Sequence, residues 1–142
     1  MKQKDQVLEI KKILNKMVQK INKYNVFNKP LEICSNSPLT GYFRDGCCSS
    51  NDSDIGQHQI CSIMSADFLK FSLNKGNDLI TPRNEYGFPG LREGDRWCLC
   101  VNRWIESLEE DIAPKIILEA TSKLVLKKLN IEILKKFALD IN

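Results

Sequence analysis

Several large functional classes are missing from this 142-residue sequence. It has no Gly-x4-Gly-Lys-Ser/Thr loop to cradle phosphates, no Gly-x-Gly-x-x-Gly turn for a dinucleotide and no Ser nucleophile elbow. No Cys-x-x-Cys is present either, which removes the thioredoxin-like redox motif. No run reaches the roughly 18 apolar residues of a membrane span. The opening MKQKDQVLEI lacks the apolar h-region of a secretory signal. The expected compartment is therefore the cytoplasm, where six cysteines stay reduced and a structural disulfide framework is not expected.

What remains is an ordinary soluble composition, 42% hydrophobic and 27% charged, with room for one domain and an appended element. The net charge of +3 hides an asymmetry. Residues 1–30 carry eight lysines against two acids, and residues 121–142 carry five lysines against two acids. The middle, 31–120, has a net charge of −6 and holds all five arginines. Lysine-rich ends read as solvated helix faces, and no nucleic-acid partner is expected, because a groove for one needs Arg and aromatics interleaved on one face. The arginines suit internal ion pairs with Asp45, Glu85 and Asp95, or recognition of an anion.

Val7, Ile10, Leu14, Met17, Ile21 and Tyr24 repeat at heptad spacing, widened by Leu8, Ile13 and Val18. This predicts an amphipathic helix over 1–24, docked on its own domain, with a homodimer seam through 7–24 as the alternative. Asn28-Lys29-Pro30 breaks it, and a long turn-rich segment follows through the Ser/Asn/Asp cluster at 49–54. HQICSIM (58–64) reads as a strand; Ser65 caps a helix that Gly76 stops. A Gly- and Pro-dense loop spans 77–91. Beyond it, 104–111 reads as a helix, 115–120 as a strand, and Thr121 or Ser122 and then Asn130 as caps of two last helices.

GDRWCLCVNRW (94–104) is the densest stretch: a Gly-Asp turn feeding two cysteines bracketed by two tryptophans. Read as a strand, it puts Trp97, Leu99 and Val101 on one face and Cys98, Cys100 and Trp104 on the other, so it is expected to be central and buried on both sides.

PLTGYFRDGCC (38–48), GNDLITPR (76–83), EYGFPGL (85–91), GDRWCLCVNRW (94–104) and LEAT (118–121) resemble the bacterial domain-of-unknown-function family 2237, over roughly 26–139. The resemblance implies that Cys34, Cys47, Cys48, His58, Cys61, Cys98 and Cys100 occupy positions of the family pattern, and it implies no activity.

The chemistry points first to a Cys/His site, metal-binding or thiol-redox, with a ligand- or protein-binding module without catalytic activity as the alternative. Cys47, Cys48, His58, Cys61, Cys98 and Cys100 are candidate metal ligands, with zinc the implied ion, although their spacings are not those of a zinc knuckle. Several could instead be small buried hydrophobes, and Cys47-Cys48 could form a vicinal disulfide. A cysteine nucleophile would combine Cys47 with His58 as base and Arg44 nearby. A small-ligand or protein-binding module would use the loops 36–56 and 77–95, with Arg44, Arg83, Tyr86, Arg96 and Trp97 as contacts. The expected architecture is α+β: a central sheet of three to five strands, flanking helices, long shaped loops and the extra N-terminal helix, with 25–142 as one domain.

Overall fold

In this computed structural model the described residues are 3–18 and 21–141, with side chains described for 3–13 and 21–141. The centre is an antiparallel ribbon of β1 (His58–Ile63) and β2 (Arg96–Cys100). β2 forms because the Gly94-Asp95 turn delivers it: Gly94 sits at φ 92°, and Asp95 Oδ2 accepts the backbone N–H of Arg92 at 2.8 Å. Gly94 N and Met64 N then donate to the carbonyls of Met64 and Asp95, closing that end of the ribbon.

Among the described residues the regular sheet has two strands, fewer than the expected three to five. The segment 115–120 contributes a bridge at Ile116, which pairs with Ser62 on one side and Ala138 on the other. It then tightens into a 3-10 turn at Leu118–Ala120. Asp140 is the cause: its carboxylate takes the N–H groups of Leu118 and Glu119 at 2.8 and 2.9 Å, donors that a strand would have used in its ladder.

Helix α2 (Ala66–Asn74) follows the sequence expectation, with Ser65 Oγ accepting from Phe68 N at 3.0 Å and Gly76 beyond its end at φ 89°. The strand expected through Trp104 stops at Cys100, and helix α3 (Val101–Glu109) starts three residues earlier than its predicted position. That switch of period rotates Trp104 into the same core as Leu99 and Val101, away from Cys98. The Ser122 cap opens only a 3-10 turn (Lys123–Lys127), and Asn130 caps a short α4 (Ile131–Lys135).

The main core gathers Ile60 of β1, Met64 just beyond it, Phe68 of α2, Leu99 of β2 and Val101 and Trp104 of α3, with Ile116, Leu118, Val125 and Leu134. Trp104 is fully buried, and its indole N–H donates to Pro114 O at 3.1 Å, so its one polar atom is satisfied.

A second cluster is made of sulfur. Cys61 and Cys98 face each other across the ribbon, and each is disulfide-bonded to the irregular segment outside it: Cys34–Cys61 and Cys48–Cys98, with Cα separations of 5.6 and 5.2 Å. These two disulfides overturn the expectation of reduced cysteines, and because Cys48 pairs with Cys98 there is no Cys47–Cys48 vicinal bond. Each bond joins a ribbon position to a residue of the irregular segment laid against it, a pairing that sequence spacing does not reveal. The cross-links enclose 27 and 50 residues of separation; each contributes about 3.5–4 kcal/mol in the chain-entropy account.

Helix α1 (Gln3–Val18) exists, but the docked expectation fails over its described side chains: Val7, Leu8, Ile10 and Ile13 are 47–56% exposed. The heptad stripe also does not stay helical to residue 24, because Asn22 and Tyr24 are in extended bridges to Ser50 and Pro30. Leu14, Met17 and Val18 lie outside the described side chains. No helix among the described residues is long and apolar enough to cross a membrane.

Candidate functional site

His58 opens β1 directly opposite Cys100, the last residue of β2. Register carries straight from Cys61↔Cys98 to Ile60↔Leu99, then shifts, so Gln59 is an extra residue between Ile60 and His58. Such a bulge re-aims the side chain beyond it. Strict alternation along the strand would separate the faces of His58 and Cys61, and this bulge is what turns the imidazole toward the free thiol. Cys100 has extended ψ (132°) yet is followed at once by helix, and Val101 N donates to Gln57 O at 3.1 Å, tying the amino end of α3 to the loop before β1.

That loop supplies the third member. Asp54 is buried, its side chain fully so, and its carboxylate accepts three hydrogen bonds. Oδ1 takes His58 Nδ1–H at 2.7 Å, while Oδ2 takes the His58 backbone N–H at 2.9 Å and Ser50 Oγ–H at 3.0 Å. Gln59, the bulge residue, donates to Ser50 Oγ at 3.1 Å and so extends the network. With Nδ1 engaged, Nε2 is the nitrogen left for the side chain of Cys100, the register partner of His58. The pKa of His58 is pushed up to about 9, first by hydrogen bonding to Cys100, against an opposing effect of burial, and further by the charge on Cys100 and by Asp54. Tyr42 stacks on the ring at 6.0 Å and 27°. A Cβ on Gly56 would lie 2.7 Å from His58 Cε1, so this position needs glycine for the ring to sit where it does. Gln57, immediately before His58, has φ 53°; left-handed backbone at a non-glycine residue is strain that the surrounding bonds must hold.

Cys100 and His58 open onto a cleft of about 290 Å³. Its apolar wall is Leu79, Phe88, Trp97 and Leu99, and its polar rim includes Arg44, Asp78 and Arg83, with Tyr86 at the edge. Phe88 meets Trp97 edge-on at 5.3 Å, and the Arg44 guanidinium lies 5.1 Å over the Trp97 ring. A larger depression of about 490 Å³ lies on the Ser50 side of Asp54, framed by Tyr24 and Lys127, and no thiol or imidazole lines it.

The residues singled out from the sequence therefore separate. Arg44, Arg83, Tyr86 and Trp97 line one cleft with His58 and Cys100, while Arg96 is exposed on β2 and is not part of that lining. Cys48, Cys61 and Cys98, with Cys34, form the buried disulfide cluster. Cys47 is a half-buried free thiol outside the cleft. Burial pushes its pKa up and the charge of Asp45 adds to this, with Lys23 partly opposing, which is the reverse of an activated nucleophile. The expected ion pairs of the arginines with Asp45, Glu85 and Asp95 are not formed; among the described residues only Arg103 is paired, with Glu106 at 3.4 Å. Asp45 is engaged instead by Cys47 N and Ser49 Oγ, and Asp95 by Arg92 N. Asp54 and Gln59 went unmarked in the sequence; the only signal was an Asp four residues before the single histidine.

In this small α+β protein a bulged two-stranded ribbon brings a free cysteine, an imidazole and a buried carboxylate together beside a cleft. The chain belongs to the bacterial family DUF2237, described as an uncharacterized protein conserved in bacteria, which it matches over residues 24–138. Helix α1 precedes that match. No curated protein matches the chain.

Proposed function

We propose that this protein is a cysteine-dependent acyl-transfer enzyme with Cys100 as nucleophile, His58 as its proton partner and Asp54 as the group that orients the imidazole. The observation that carries this reading is His58 held between a buried carboxylate and a free thiol at the mouth of a cleft. An imidazolium and the amino end of a helix both stabilise a thiolate on a neighbouring sulfur. α3 begins directly after Cys100 and has no side-chain cap over its first turn. The thiolate adds to a substrate carbonyl carbon, and the leaving group departs with the proton from His58, leaving a thioester on Cys100. His58 then takes a proton from water, whose oxygen attacks the thioester; the acid is released and the thiol is restored.

p-Nitrophenyl acetate tests this directly. Peptide mass spectrometry is expected to find an acetyl thioester on Cys100, absent in Cys100→Ala and formed about 10²-fold more slowly in His58→Gln. Acylation confined to Cys47, or equal in His58→Gln, overturns the assignment. A cytoplasmic setting suits the reading because it keeps Cys100 reduced, while the disulfide cysteines, 0–3% exposed, are shielded from the thiol pool.

One observation favours a second reading. The sulfurs of Cys34, Cys48 and Cys61 lie within 4.8 Å of one another, and Cys98 is bonded to Cys48. On reduction, four thiolates from one buried place would suit zinc, whose structural sites are tetrahedral and often all-cysteine. Elemental analysis of protein purified under reducing conditions without chelator decides this: zinc near one per chain supports the metal site, and zinc near zero removes it.

A further inference from the structure

We propose that the cleft at Cys100 takes a small substrate bearing an oxyanion, carboxylate or phosphate, held by the guanidinium groups of Arg44 and Arg83. This rests on Cys100 being the nucleophile and adds which molecules reach it.

Two arginines on one cleft rim with no acid at ion-pair distance are unusual, since the natural fate of Arg near Asp and Glu is pairing. Asp78, the carboxylate on the same rim, interacts with Arg83 at longer range, and its Oδ1 accepts the N–H groups of Ile80 and Thr81 at 2.9 and 3.0 Å. Asp45 is turned to Cys47 N and Ser49 Oγ. Neither Arg44 nor Arg83 has an ion pair among the described residues. The charge of His58 is met by Asp54 and Cys100, which leaves Arg44 and Arg83 on the lining against the single carboxylate of Asp78.

Arg44 is also placed, not merely present. One terminal nitrogen donates to Gly41 O at 2.6 Å, and the group lies over Trp97. Its backbone sits at φ 53°, a left-handed conformation that a long side chain rarely adopts without constraint. Holding one of its nitrogens in this way leaves other donors of the fork for a ligand. The apolar wall behind, Leu79, Phe88, Trp97 and Leu99, gives the rest of such a molecule a surface to lie on. A volume of about 290 Å³ is at the bottom of the small-molecule range and too small for a polymer segment.

Two alkylating probes of nearly equal size test the charge preference: anionic iodoacetate and neutral iodoacetamide. In each, the sulfur bonds to the reagent methylene as iodide leaves. Rates at Cys100 are read by peptide mass spectrometry at pH 7, with Cys47 in the same molecules as reference. The iodoacetate-to-iodoacetamide ratio is expected to be about tenfold higher at Cys100 than at Cys47, the low end of electrostatic focusing in a cleft. Arg44→Gln and Arg83→Gln should each lower the Cys100 ratio. Protection of Cys100 by acetate against protection by inorganic phosphate then separates the two oxyanion classes. A Cys100 ratio equal to that of Cys47, or unmoved in both variants, overturns the anion preference while leaving the nucleophile intact. A Cys100 no faster than Cys47 toward both reagents overturns the nucleophile itself, and the preference with it.

Discussion

Asp54→Asn probes the site more sharply than removing the thiol, because the two side chains have the same shape and differ in what they can accept. Asp54 is buried and receives three hydrogen bonds, from His58 Nδ1, His58 N and Ser50 Oγ. Asparagine offers one acceptor oxygen and one donor amide. If the oxygen faces His58 Nδ1, the NH₂ meets the His58 backbone N–H; if it is flipped, the NH₂ meets the ring N–H. In either orientation a charge-assisted bond is lost and a buried donor faces a donor. Each loss of this kind costs about 1.5–3 kcal/mol, so about 3 kcal/mol is expected overall. That is within the stability of an ordinary domain, and the variant should fold. Urea unfolding, followed by the fluorescence of the buried Trp97 and Trp104, reads the change. Alkylation of Cys100 by iodoacetamide at pH 7 should slow about tenfold in the same sample, because the imidazole is both less well oriented and less basic. If Asp54→Asn unfolds within about 0.5 kcal/mol of the parent and alkylates at the same rate, the orienting role is wrong.

Further outcomes follow from the site and from the fold around it. His58 is the single histidine, so its ring protons give one resolved NMR titration, with a midpoint near 9 that falls in Cys100→Ser, since the bond to Cys100 is the largest upward cause. Because the folded value lies above the ordinary value of about 6.5, the stabilisation tied to His58 is full below pH 6.5. It is lost as pH rises toward about 9, and denaturant titrations of His58→Gln should show a smaller loss across that window. Cys48→Ser should lower stability by about 4 kcal/mol and raise the free-thiol count under denaturing conditions from two to three, as Cys98 is released. Removal of residues 1–18 should change the unfolding free energy by less than about 0.5 kcal/mol, since Val7, Leu8, Ile10 and Ile13 are already exposed. Light scattering on the same pair reads the homodimer expectation: a halved mass supports a seam through α1, and an unchanged mass ends it.

Local chemistry was legible in the sequence wherever a short-range rule decides the structure. Ser65 and Gly76 bound α2, Asn130 caps α4, and the Gly94-Asp95 turn delivers β2, all through bonds between near neighbours. The family was legible too, because its motifs are long contiguous runs. The arginine- and aromatic-bearing loops were legible as places of interest, being too rich in Gly and Pro to be elements. Only the tertiary structure decided which cysteine meets the histidine. The choice of Cys100 over Cys47 follows from ribbon register plus one extra residue at Gln59, and register is a relation between segments about 40 residues apart. The disulfides are long-range too, since Cys34 and Cys48 reach Cys61 and Cys98 only when the segment before β1 folds back onto the ribbon. So does the failure of the third strand: Asp140, at the far end of the chain, takes the donors that 115–120 would have paired. Residue type and nearest-neighbour bonding determine caps, turns and helix faces; long-range pairing determines which reactive groups share a site.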